Sequence, residues 1–180
     1  MSRFKSNEVS YVRWQNRATR FYVAARLCHR QDSFIPAAYC ATIALELLLK
    51  ATLVHFDRSF RATDFRHSGT KLQRALRNKV PGARRITLPD YFFFEHRYIH
   101  VSRYPSADRG LTVPSTFIAD LDEAFATLLV LTPFQHNTDL KKLLRVAKGP
   151  EYRSLSRSNA QIGVVRRFLG IPAPSRGDRR

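Results

Sequence analysis

The stretch Ala37-Ala38-Tyr39-Cys40-Ala41-Thr42-Ile43-Ala44-Leu45-Glu46-Leu47-Leu48-Leu49-Lys50-Ala51 decides how the rest of the chain is read. Only Glu46 and Lys50 carry charge in it, and a helix with almost no polar side belongs at the centre of a packed domain. Ser33 is placed to cap it and Pro36 falls in its first turn, where a missing N–H is harmless. The helix is therefore predicted from Ser33 to about His55, with Ala38, Ala41, Leu45, Leu48 and Leu49 on its buried face.

Upstream, Tyr11, Trp14, Ala18, Phe21, Ala25 and Cys28 step by three and four, which predicts a helix from Ser10 to about Gln31 with Arg13, Arg17, Arg20 and Arg30 off its buried stripe. Downstream, Leu72, Leu76 and Val80 predict a short, peripheral third helix from Gly69 to Val80, stopped by Pro81-Gly82. A fourth is predicted from Pro89 to about Ser102, aromatic in its first half and ended by Tyr104-Pro105. Ser115 caps a fifth that carries Ile118, Leu121, Phe125, Leu128 and Leu129 inward until Pro133. Asn137 and Asn159 are read as caps of two short helices, Thr138 to Lys148 and Ala160 to Leu169, closed by Gly149 and Gly170. Strand-type alternation does not persist anywhere, so the expected class is all-α. The expected architecture is an antiparallel up-and-down helical bundle over 1–133, with a basic C-terminal extension of short helices and a flexible tail over 134–180.

The 180 residues carry a formal net charge of +17, with 24 Arg against 7 Lys. That excess favours an anionic partner, and the planar guanidinium suits phosphate and base stacking, so RNA or a nucleotide is the leading expectation. From Thr138 onward eleven Lys/Arg face three acids, and Arg145, Lys148, Arg153, Arg157, Arg166 and Arg167 are the expected nucleic-acid-binding residues. Phe92 and Phe93 cannot both share the face of Phe94 and are expected at a dimer interface or stacked on bases. The apolar runs fall short of a membrane span and no secretory signal is visible, so a cytoplasmic protein without membrane contact is expected, its Cys28 and Cys40 reduced and structural.

The helix ending Glu46-Leu47-Leu48-Leu49-Lys50-Ala51, the following Phe65-Arg66-His67 and Leu72, and the aromatic stretch ending Arg103-Tyr104-Pro105 together resemble the HEPN superfamily, over roughly Arg17 to Leu131. The resemblance implies a mostly antiparallel helical bundle, a homodimer, and nucleotide or RNA binding in toxin-antitoxin or phage-defence systems, with an antitoxin or nucleotidyltransferase as partner protein. It also implies, for active members, a metal-independent endoribonuclease built on an Arg, a short spacer and a His near the start of the last bundle helix. Here the helix from Ser115 to Leu131 contains neither residue.

Two other sets offer that chemistry. His96, His100 and Arg103 lie at i, i+4 and i+7 with Arg97 one step round, so His100 is the candidate acid or base, with Arg97 and Arg103 on the phosphate. The alternative pair is Arg61 and His67. His96 and His100 lack a third ligand, so no metal is expected, and the phosphate-loop, dinucleotide and zinc-hydrolase motifs are absent, so neither is a cofactor. Glu46 and Lys50 read as an i, i+4 ion pair at the bundle edge. A protein-interaction subunit that binds no nucleic acid is the reading from another class.

Overall fold

Two long helices, α1 (Arg3–Arg30) and α2 (Phe34–Phe56), pack against each other as an antiparallel pair. At one end the His29 and Phe34 rings meet edge-on at 5.5 Å, and at the other Tyr11 and His55 lie 5.4 Å apart. The computed structural model describes residues 3–57, 59–61, 64–94, 113–132, 138–146 and 148–173. Among these, α3 (Gly69–Lys79), α4 (Phe117–Val130), α5 (Thr138–Val146), α6 (Gly149–Ser156) and α7 (Ile162–Phe168) complete an all-helical fold, with two short 3-10 turns and no strand.

α2 is central for the reason its sequence suggested: Ala37, Ala38, Ala41, Ala44, Leu45, Leu48 and Leu49 are fully buried. By length and composition alone α2 is apolar enough to cross a membrane, which counting uninterrupted runs overlooked, but 72% of its apolar window is buried inside the fold. Glu46 and Lys50 break the run and neutralise each other.

The buried face of α1 differs from the expected stripe. Trp14, Phe21 and Cys28 are only half-buried, whereas Gln15, Thr19, Tyr22 and Arg26 are buried with Tyr11, Ala18 and Ala25. The seam tolerates polar groups because α4, antiparallel to α1, and the C-terminal helices supply partners. Asp122 receives the Arg26 guanidinium and, at 2.6 Å, the Tyr22 hydroxyl, while the Tyr22 ring stacks on Phe125 with centroids 4.0 Å apart. Arg26 also donates to the carbonyls of Ser154 (2.5 Å) and Arg157 (2.6 Å), and Asn159 donates to the Tyr22 oxygen at 2.9 Å. Burial pushes the Asp122 carboxyl above the usual carboxylate range against the opposing pull of Arg26 and Tyr22, so desolvation is the larger effect.

Where it is described, the segment after 134 packs on the bundle. Leu140, Leu144, Tyr152, Leu155, Val165, Leu169 and Ile171 enter the same core as the leucines of α2. α6 lies outside the expected set, because Gly149, expected only to end a helix, also opens one. It adopts φ +87° and the chain restarts at once, with Pro150 in the first turn of the new helix. The expected fourth helix begins instead as a 3-10 turn, Asp90–Phe94, and its remainder lies outside the described residues. Aromatic side chains restrict one another in an α-helix, and the tighter turn sends Phe92 into the core at 1% exposure with Phe93 edge-on against it at 5.7 Å. Phe92 is thus withdrawn from any interface or stacking role.

Asp122→Ala should destabilise the fold by about 3–5 kcal/mol, because it leaves the Arg26 charge buried and unpaired. Urea denaturation followed by circular dichroism measures this, and a loss below about 1 kcal/mol would show that the pair is not a structural anchor.

Candidate nucleic-acid interface

The loop between α2 and α3 is fixed from beneath by two buried charges one helical turn apart. Lys50 Nζ donates to Glu46 Oε1 and to the carbonyl of Arg66, both at 2.5 Å. Arg66 holds a left-handed φ of +45°, so the Lys50 contact secures a backbone shape that a side-chain-bearing residue rarely adopts unaided. The next residue, His67, places Nδ1 3.0 Å from Glu46 Oε2 while its side chain stays 64% exposed. Ser68 then caps α3, its hydroxyl accepting from the Lys71 N–H at 3.4 Å.

Glu46, Lys50 and His67 thus form one constellation, a carboxylate locked by an ammonium and orienting an exposed imidazole. With Nδ1 donating to Glu46, Nε2 is left as a proton acceptor on the exposed edge of the ring. Arg61 is exposed nearby in sequence, its carbonyl accepting from the Asp64 N–H at 3.1 Å, and no hydrogen bond among the described residues joins it to His67.

Around this loop the surface is strongly cationic. Between 61 and 85 the chain carries eight Lys/Arg and a single acid, Asp64. Arg61, Arg66, Lys71, Arg74, Arg77, Lys79 and Arg84 are exposed, and among the described residues only Lys79 has an acidic partner, Asp57 at 3.6 Å. The expectation centred on the C-terminal quarter overlooked this face. A simple count of charge along the chain would have found it, because the density of unopposed cations here exceeds that after Thr138.

Of the expected C-terminal cations, Arg145, Lys148, Arg153, Arg157 and Arg167 are exposed. Arg166 is not: it is buried at 7% exposure, donating through Nη1 to the Leu144 carbonyl at 3.2 Å and through Nε and Nη2 to the Pro172 carbonyl at 2.9 and 2.6 Å. It ties α7 to α5 and to the following turn, so it is corrected here from a phosphate contact to an internal clasp. Arg97, His100 and Arg103 lie outside the described residues. Cys28 and Cys40 are free and half-buried, and burial with the neighbouring Cys28 sulfur pushes the Cys40 thiol up to about 11.

Removing the carboxylate beneath the loop should matter far more than removing the exposed ring above it. Glu46→Ala, which strands the Lys50 ammonium, is expected to lower stability by about 3 kcal/mol, and His67→Ala by less than about 1 kcal/mol. Thermal melts of the two variants check this, and equal losses would overturn the described hierarchy.

No family model, curated protein or solved structure matches this chain.

Proposed function

We propose that the protein is an RNA- or nucleotide-binding module whose phosphate-facing side is centred on the α2–α3 loop and α3. The observation that carries this reading is the run of exposed cations from Arg61 to Arg84, six of the seven without an acidic partner among the described residues. Exposed like charges along one short helix repel one another, and a polyanion relieves that repulsion while releasing its counterions. Arg145, Lys148, Arg153, Arg157 and Arg167 extend the positive field.

The constellation at His67 favours a second reading, metal-independent cleavage of the bound RNA. An imidazole oriented by a buried carboxylate is poised to take the proton of a 2′-hydroxyl at Nε2. The 2′-oxygen then attacks the adjacent phosphorus, the bond to the 5′-oxygen breaks, and that oxygen takes a proton from water. A 2′,3′-cyclic phosphate and a 5′-hydroxyl result. Arg61 and Arg66 are the nearby cations suited to the developing phosphorane charge.

Filter binding across a salt series tests the first reading. The logarithm of affinity for single-stranded RNA should fall linearly with the logarithm of salt concentration, and Lys71→Ala with Arg74→Ala should shallow the slope by about 0.7 per cation removed. Arg166→Ala should lower stability and leave the slope unchanged. Binding indifferent to salt would eliminate the electrostatic interface. For the second reading, labelled RNA is incubated with chelator present. Cleavage by the unmodified protein should vanish in His67→Ala while binding persists, and loss in His100→Ala alone would move the site to 97–103.

A further inference from the structure

Where α3 ends, the chain turns back on itself around a wide-open surface hollow of about 580 Å³, lined by Arg77, Lys79 and Arg84 together with the Val80-Pro81-Gly82 turn. The turn is rigidly held. Val80 is 3% exposed and Ala83 is fully buried, and the Ala83 N–H donates to the Val80 carbonyl at 3.2 Å. Gly82 sits at φ +77°, and a Cβ there would meet nothing within 4 Å, so the backbone angle alone demands glycine. That reversal is what brings Arg84 to the same concavity as Arg77, and neither side chain has to reorganise the backbone to reach a ligand.

The helix terminus itself opposes an anion, since its free carbonyls amount to about half a negative charge. Three cations outweigh it. Lys79 is shared with Asp57, whose other oxygen is occupied by the Ser59 N–H at 2.9 Å and hydroxyl at 2.6 Å. Arg77 and Arg84 have no acidic partner among the described residues, and each offers a planar fork that grips two phosphate oxygens. The volume lies in the range of small-ligand pockets, about 300–1,000 Å³, well beyond what a single phosphate fills. An internal stretch of RNA backbone offers one charge per nucleotide strung along a line, which matches the exposed face of α3. A concavity that gathers three cations matches a group in which several charges are joined.

We infer that this hollow binds the terminal di- or triphosphate of an RNA strand, so that the protein recognises a 5′ end as well as a backbone. The inference rests on the RNA-binding reading above and adds to it a strand-end specificity. The ribose and first base lie over Pro81, and the strand continues along α3 past Arg74 and Lys71.

Fluorescence anisotropy with the full chain, using two RNAs of one sequence that end in a 5′-triphosphate or a 5′-hydroxyl, separates the two ideas. The triphosphate strand should bind about tenfold tighter, and Arg77→Ala with Arg84→Ala should bring that ratio to about one. Lys71→Ala with Arg74→Ala should weaken both RNAs alike and keep the ratio. Equal affinities in the unmodified protein would overturn end recognition while leaving RNA binding in place, and a ratio that survives in the Arg77/Arg84 variant would overturn the hollow as its source. If neither RNA binds, the RNA-binding reading fails. Calorimetry with inorganic tripolyphosphate then decides the hollow: heat lost in the Arg77/Arg84 variant supports a polyphosphate site, and no heat with the unmodified protein ends it. A free nucleoside triphosphate that competes as well as the triphosphate strand would assign the hollow to a free nucleotide and overturn strand-end specificity.

Discussion

The fold turns on the ion pair between Arg26 and Asp122, each with a side chain only 3% exposed. Two charges taken out of water cost several kcal/mol apiece, and their mutual attraction offsets that only when every remaining donor and acceptor is used. Here they are used. The second carboxylate oxygen takes the Tyr22 hydroxyl, and the guanidinium continues to the Ser154 and Arg157 carbonyls. Because those carbonyls belong to the end of α6 and Asp122 to α4, one arginine on α1 specifies how three parts of the chain meet. Leucines alone would stabilise many registers of α4 and α6 against α1. The pair and its hydrogen bonds are satisfied in one of them.

The same logic operates twice more, and each time it separates a cation used as a structural element from one that is surface charge. Arg166 uses its guanidinium on the carbonyls of Leu144 and Pro172, joining α7 to α5 and to the turn at 171–173. Lys50 does the corresponding work beneath the α2–α3 loop, through Glu46 and the Arg66 carbonyl. A net charge of +17 therefore overstates the surface excess by a single charge among the described residues, since the buried cations Arg26 and Lys50 carry buried acids with them. Arg166 is the exception, a buried cation held by carbonyl dipoles alone. The excess that remains is on the outside.

How much of this is legible in the sequence follows from which physical signals are local. α2 declares itself because apolar residues on every side have a single physical outcome, and α3 because Leu72 and Leu76 are followed by Pro81-Gly82. The buried stripe of α1 misleads because Gln15, Tyr22 and Arg26 are buried against partners as many as 137 residues away, as in the Asn159 bond to Tyr22, while Thr19 bonds back to the Gln15 carbonyl of its own helix. No periodicity in α1 encodes them. The Gly149-Pro150 junction is ambiguous for another reason: glycine ends one helix while proline opens the next, and both signals occupy adjacent positions. In the candidate site, the sequence pairs Glu46 with Lys50 at helical spacing but sets His67 with Arg61. The meeting of His67 with Glu46 depends on the left-handed turn at Arg66, which the sequence Phe65-Arg66-His67 does not announce.

That turn connects stability to chemistry. An imidazole at 64% exposure would ordinarily sample many orientations, and an exposed loop would ordinarily carry its cations as a diffuse cloud. Lys50 and Glu46 remove both freedoms from within the core, since the ammonium pins the Arg66 carbonyl and the carboxylate pins the ring beside it. Anchoring by buried charge has a consequence that apolar packing lacks: it fixes residues that are polar and exposed, Arg66 and His67, so order is delivered to the surface on the proposed phosphate-facing side. The turn at Gly82 repeats the principle by backbone geometry, holding Arg84 toward Arg77 through a left-handed residue set between the buried Val80 and Ala83. Both ends of α3 thus terminate in a fixed, cation-bearing turn, and the helix between them carries Lys71 and Arg74 on its exposed side at fixed separation. Preorganised spacing of this kind reduces the ordering that binding would otherwise demand of each long side chain, which is the physical ground for centring the proposed phosphate-facing side on α3.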